Sequence, residues 1–231
     1  MAQHLQAIVF DFDGVIANSE PLHLQAFQQA LSEEGISLTP SDYYRRYLGF
    51  DDVGVFQAIA SDRGVAMTDR HITALVTRKG AIVQSMMHDG SVLFAGAREF
   101  IRAAAAEVPI AIASGAMRHE IDEILVAAGI SQLFSAIVAA GDTPESKPSP
   151  APYLLAFEKL ETATGRALEP SRCVAIEDSR WGLDSARGAG LRCVGVTNSY
   201  PAHELPGAEL IAPGLDGLTI PMLDRLCSGT Q

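Results

Sequence analysis

The chain has 231 residues, 48% hydrophobic and 19% charged, which is enough apolar material for a real core and excludes a disordered chain. Its 28 acidic residues against 17 basic ones leave a net charge of −11, the opposite of what binding a nucleic-acid backbone requires. An anionic substrate must therefore meet a local basic pocket, because the overall field repels it.

In chain order, the first apolar run is residues 7–10, AIVF, nearly continuous rather than alternating. That pattern predicts a strand buried on both faces, as in a parallel sheet. Residues 15–92 contain no convincing strand and four helical patterns. Ser19-Glu20-Pro21 opens the first, which carries Leu24, Phe27 and Leu31 and stops at Gly35. Thr39-Pro40 opens the second, with Tyr44 and Tyr47, stopped by Gly49. Residues 53–60 form the third, ending near Gly64, and Thr68 caps the fourth, with Ile72, Leu75, Val76, Ile82 and Val83 at helical spacing. An all-helical insert after the first strand reads as a small cap domain. Strands are then predicted at 110–113, 136–139, 173–176 and 193–196, separated by helices over 116–128, 150–160 and 179–187. Alternating strand and helix implies right-handed crossovers and a doubly wound α/β core. The expected division is 1–14 with 93–231 for the core and 15–92 for the cap.

Cys173 and Cys193 each open an apolar run, and with Cys227 they fit no zinc or redox spacing. They read as thiols in a reducing compartment, and a cytoplasmic location is expected. No run approaches the ~18 apolar residues of a membrane span. The N-terminus lacks the features of a secretory signal. No sequence signal bears on oligomeric state.

Ligands of an open parallel sheet bind at the carboxyl ends of its strands. Asp11, Asp13 and Gly14 follow the first strand, Ser114 and Gly115 the second, Lys147 the third, and Glu177 and Asp178 the fourth. Carboxylates from two strands suit a hard divalent cation, with Mg²⁺ expected. Without one, clustered acids repel and some protonate. Asp11 is placed to attack phosphorus, and Asp13, two residues on in an extended segment, to protonate a leaving oxygen and then activate water. The N–H groups near Gly14 and Gly115, the Ser114 hydroxyl and Lys147 suit phosphoryl oxygens.

Residues 11–23, DFDGVIANSEPLH, closely resemble the first motif of the haloacid dehalogenase superfamily. Ser114 matches the second motif, Lys147 within ESKPSPAPY the third, and IEDSRWGLDSARGAG, residues 176–190, the fourth. The helical insert is similar to the cap of the phosphoglycolate phosphatase and β-phosphoglucomutase branch. The resemblance implies a Rossmann-like core, an Asp11 nucleophile and an Asp13 acid/base. It implies Mg²⁺ held by Asp11, the Asp13 main-chain oxygen and Asp178, with Glu177 assisting, and phosphate held by Ser114 and Lys147. His23 sits at the family's usual place in the EPLH string, and Lys79 matches a lysine of the cap's long helix; both are expected to bind substrate.

The implied activity is Mg²⁺-dependent hydrolysis of a small phosphorylated metabolite through an aspartyl phosphate. The alternative is a β-phosphoglucomutase-like sugar-phosphate mutase. That branch has a cap-loop arginine for a distal phosphate where this sequence has aspartate, in Gly49-Phe50-Asp51-Asp52. A phospho-accepting signalling domain has no use for a cap or for Asp13. A dehalogenase lacks the second aspartate, since no leaving alkoxide needs a proton. Among other cap and rim residues, Arg45 and Arg46 read as a solvated face, Arg118 as either surface or substrate-facing, and Trp181 as packing.

Overall fold

The computed structural model describes residues 4–47, 50–86 and 92–228. The chain divides into two compact units, Met1–Asn18 with Asp89–Gln231, and Ser19–His88. The expected boundaries after residues 14 and 92 thus move to 18 and 88. The reason is packing: Val15, Ile16 and Ala17 are fully buried in the first unit. They are stitched there by an Ala17–Leu93 bridge, an Asn18 N–H to Val92 carbonyl bond of 2.7 Å, and a Phe94 N–H to Ile16 carbonyl bond of 3.0 Å.

The first unit is an α/β core. Its six-stranded sheet comprises β1 (Ala7–Phe10), β2 (Ile110–Ala113), β3 (Phe134–Val138), β4 (Cys173–Glu177), β5 (Arg192–Val196) and β6 (Leu210–Ala212), in the order β3-β2-β1-β4-β5-β6. Every pairing is parallel. The central strands β1 and β2 are buried at every position, as their unbroken apolar runs require. One face packs Val9, Ala111, Cys173, Ala175 and Cys193 with Tyr153, Leu160 and Leu183. Phe10 meets Phe100 and Phe134 edge-on at 6.2 Å each. Strand β3 begins two positions before its apolar run because it is the sheet's edge: Ser135 is exposed, and a one-sided strand need not be apolar throughout. Strand β6 had no sequence signal, being three residues long and flanked by Glu209 and Pro213.

Among the described residues of the core unit are five α-helices. Ala97–Glu107 precedes β2, Arg118–Ala127 follows it, Ala151–Thr164 follows β3, Arg180–Gly188 follows β4, and Ile220–Cys227 closes the chain. Gly129 and Gly165 stop two of them in the left-handed conformation that glycine adopts without strain. The Ser179 hydroxyl accepts from the Gly182 N–H at 3.1 Å, an N-cap for the helix after β4.

The second unit is all-helical among its described residues: Glu20–Ser32, Pro40–Asp42 running into a π-helical turn Tyr43–Tyr47, Asp52–Arg63 and Asp69–Met86. Phe27, Leu31, Tyr43, Phe56, Ile59, Ile72 and Leu75 form its own core. The second pattern therefore becomes a π-turn that buries Tyr43 and Tyr47 and leaves Tyr44 exposed, and its expected stop, Gly49, lies outside the described residues. No helix among the described residues is long and apolar enough to cross a membrane. Cys173 and Cys193 are buried free thiols, and Cys227 is a half-buried free thiol.

Candidate active site

Five strand ends meet along one edge of the core sheet. Asp11 follows β1, and its N–H donates to the Ile176 carbonyl of neighbouring β4 at 2.9 Å, so the two acid-bearing strands end in register. Asp11, Glu177 and Asp178 offer carboxylate oxygens all within 4.8 Å of one another, and all three are buried. Lys147, from the loop after β3, lies 2.8 Å from Asp11 Oδ1 and 2.5 Å from Glu177 Oε1. The Phe12 N–H also donates to Asp11 Oδ1, at 2.7 Å, which fixes the rotation of that carboxylate.

Glu177 is fully buried and well satisfied. Its Oε1 accepts from Lys147 and from the Tyr153 hydroxyl at 2.8 Å; Oε2 accepts from the Asp178 N–H and the Ser179 hydroxyl. Tyr153 is a functional neighbour that the sequence reading passed over. Its signal was its place in KPSPAPY, where the helix after β3 turns it back under Lys147, whose ammonium sits 5.1 Å from the ring centre.

Burial raises the Glu177 carboxyl above its ordinary value, the Asp11 charge adds to this, and Lys147 and Tyr153 oppose it. Burial, then the charges of Asp11 and Glu177, pushes Asp178 up to about 8. Burial alone lowers a lysine, but the two carboxylates beside Lys147 hold it above its usual range. Three hard oxygen donors with one ammonium between them carry more negative charge than a buried site retains alone. The donor set fits a divalent cation.

Asp13 stands two residues beyond Asp11, half-buried. Gly14 adopts φ +78°, and a Cβ there would lie 1.9 Å from Asp178 Oδ2. Gly14→Ala is therefore expected to lower thermal stability and turnover together, since it combines left-handed strain with a clash against a buried carboxylate; melting and activity of the purified variant check this. Ser114 is buried after β2, its hydroxyl accepting from the Ala116 N–H at 3.0 Å, and Gly115 is exposed beside it. Arg118 and His119 are exposed, and Arg118 is paired with Asp122. Trp181 is 48% exposed and packs edge-on against Tyr200 at 6.1 Å.

His23 and Lys79 lie in the helical unit. Lys79 is 3% exposed and spends its ammonium on both oxygens of Asp52, at 2.8 and 2.9 Å, and on His23 Nδ1 at 2.7 Å. Asp52, read from sequence as a loop acid, is the first residue of its helix and the ion-pair partner of Lys79. Arg46 pairs with Asp62 at 2.6 Å on an open face. Burial, then the Lys79 charge, lowers His23 to about 4 from 6.5, so the ring is neutral at pH 7 and its Nδ1 accepts a hydrogen bond from the Lys79 ammonium. A depressed folded-state value means stability that is present above pH 6.5 and lost as pH falls towards 4. The melting temperature is expected to fall across that window, and less steeply in His23→Gln.

The haloacid dehalogenase-like hydrolase family matches residues 8–196. The chain belongs to that family. Among haloacid dehalogenase-like relatives, Protein CbbY of Rhodobacter capsulatus is 35% identical over 206 residues, covering 85% of this chain and 87% of that protein. The fructose-1-phosphate phosphatase YqaB of Escherichia coli (strain K12) is 28% identical over 204 residues, covering 85% and 98%. A crystal structure of a CbbY mutant from Rhodobacter sphaeroides, in complex with xylulose-1,5-bisphosphate, superposes with TM-score 0.74 at 27% identity, covering 91% of this chain and 95% of that one.

Proposed function

We propose that this haloacid dehalogenase-like protein is a Mg²⁺-dependent phosphomonoester hydrolase acting on a small phosphorylated metabolite through a phosphoaspartyl intermediate on Asp11. The observation that carries this reading is the fixed Asp11 carboxylate, tied by Lys147 at 2.8 Å and the Phe12 N–H at 2.7 Å within the three-acid cluster. A nucleophile held in one rotamer loses less entropy on reaching the transition state. An Asp11 oxygen attacks phosphorus, the ester P–O bond breaks, and Asp13 gives its proton to the departing oxygen. Asp13 then takes a proton from the water that attacks the phosphoaspartate, releasing inorganic phosphate and restoring Asp11. Lys147, the Ser114 hydroxyl and the N–H groups at Gly14 and Gly115 receive the phosphoryl oxygens. Asp11, Asp178 and the Asp13 main-chain oxygen would hold the Mg²⁺, which supplies neutralisation of the acids and of the phosphoryl charge. Glu177, already engaged by Lys147 and Tyr153, assists by holding Lys147.

The helical unit is a cap inserted between β1 and β2 in the sequence, with His23 and Lys79 proposed as its polar pair for substrate. Its buried lysine is neutralised by Asp52, which favours a hydrolase over a mutase that must grip a second phosphate. Like charges a few ångströms apart cost on the order of a few kcal/mol at an effective dielectric near 20. The free thiols suit a cytoplasmic location.

The test is a panel of phosphorylated metabolites with inorganic phosphate as readout. Release is expected with Mg²⁺, none in excess chelator, and inhibition by Ca²⁺, which is larger and takes more ligands. Asp178→Ala is expected to weaken Mg²⁺ binding more than Glu177→Ala. Full activity in chelator overturns the metal assignment. β-Glucose 1-phosphate with a trace of glucose 1,6-bisphosphate separates the two reactions: glucose 6-phosphate forming much faster than phosphate identifies a mutase.

A further inference from the structure

The loop after β5 contributes two polar side chains that no sequence motif singled out. Its root is fixed: Val196 pairs with Ala212 of β6, and the Thr197 N–H donates to the Ala212 carbonyl at 3.0 Å. The next residue, Asn198, donates from Nδ2 to the Gly14 carbonyl at 2.7 Å. Ser199, one further on, sets its hydroxyl on the same side of Gly14 as the Asp178 carboxylate. Gly14 lies against both, since a Cβ there would come within 1.9 Å of Asp178 Oδ2 and 2.8 Å of Ser199 Oγ. One dipeptide therefore touches the loop that carries Asp11 and Asp13 and the loop that carries Asp178.

Neither residue belongs to the hydrophobic core; Asn198 is half-buried and Ser199 exposed. Their contribution lies in what they hold. The Gly14 residue is fixed at both ends, its N–H on the Ala17 carbonyl at 2.9 Å and its carbonyl on Asn198. Without the amide, the segment following Asp13 keeps its tie within the loop and loses its tie to the β5 loop. An acid that must deliver a proton along a defined line is sensitive to that freedom. Ser199 stands in the corresponding place beside Asp178, a carboxylate that must present one oxygen to a cation.

We propose that Asn198 and Ser199 are positioning residues for the phosphoryl-transfer reaction, Asn198 aiming Asp13 through the Gly14 carbonyl and Ser199 orienting Asp178. This rests on the hydrolase reading above. Asn198→Ala and the near-isosteric Asn198→Asp, whose carboxylate cannot donate to a carbonyl, are assayed on p-nitrophenyl phosphate and phenyl phosphate. The nitrophenolate leaves without a proton, whereas phenolate needs one. Both variants are expected to lose roughly 10–100-fold in kcat/KM on phenyl phosphate and only a few-fold on p-nitrophenyl phosphate.

For Ser199→Ala, calorimetric titration of the resting enzyme with Mg²⁺ is expected to show a Kd raised about tenfold; Ser199→Thr, which keeps the hydroxyl, restores it. A purely structural role lowers the melting temperature and reduces both substrates by one factor. That result, or an unchanged Mg²⁺ Kd in Ser199→Ala, overturns the proposal while the wild type remains an active hydrolase. A wild type inactive on every phosphate ester overturns the hydrolase reading itself, and the positioning roles with it.

Discussion

Asp11→Asn is expected to bring phosphate release to the detection limit without unfolding the protein. The amide keeps an oxygen where Lys147 and the Phe12 N–H now bind Oδ1. It has no negative charge with which to attack phosphorus, and covalent catalysis has no substitute nucleophile at this edge. The loss should exceed ~10⁴-fold in kcat, the scale seen when a nucleophile is removed. The same change withdraws one of the charges that push Asp178 up to about 8. The metal-free variant should therefore melt no lower than the metal-free wild type. Wild-type turnover in a verified Asp11→Asn sample would falsify the nucleophile assignment. A large fall in melting temperature would instead mean that Asp11 holds the strand ends together.

Lys147→Ala carries the second largest expected effect, and it acts on stability as well as rate. Lys147 is mostly buried, and its ammonium is the cation between Asp11 and Glu177. Removing it leaves three carboxylates within 4.8 Å of one another. Breaking a buried ion pair from one side costs about 3–5 kcal/mol, and losing one preorganised charge from the transition state about 2–4 kcal/mol. Activity should fall roughly 10²–10³-fold in kcat. Burial already raises Glu177 and Asp178, and the variant removes the cation that opposed this, so protonation favours the folded form. Its stability deficit should shrink as pH falls and widen as pH rises. A change confined to KM, with kcat intact, shows that Lys147 serves binding alone.

Much of this site was legible because a buried parallel strand announces itself twice. The apolar run marks the strand, and the first polar residue after it marks the edge where ligands bind. Asp11, Ser114 and Asp178 stand at such points, directly after β1, β2 and β4, and Glu177 is the last residue of β4. What escaped has physical causes. Strand β6 is too short to show a period, and β3 is exposed on one side at Ser135. Tyr153 lies within the helix expected over 150–160, and only the fold brings its hydroxyl to Glu177. Asn198 and Gly14 lie 184 positions apart, and side-chain-to-backbone bonds of that separation leave no periodicity to detect. In the helical unit, Asp52 and Lys79 were visible as charges, but their pairing depends on how two helices pack.

The stitch at the base of the helical unit bears on how this chain tolerates change. Residues 17–18 and 92–93 are held side by side by the Ala17–Leu93 bridge and the 2.7 Å Asn18–Val92 bond. The ends of the intervening segment are thus closed by contacts that belong to the core unit. Closure entropy grows only as the logarithm of length, so doubling such a loop adds about 0.6 kcal/mol. Insertions, deletions or exchange of helices between these anchor points therefore leave the sheet almost indifferent to what is carried there. The acid-bearing edge of the sheet can stay fixed while the inserted unit diverges.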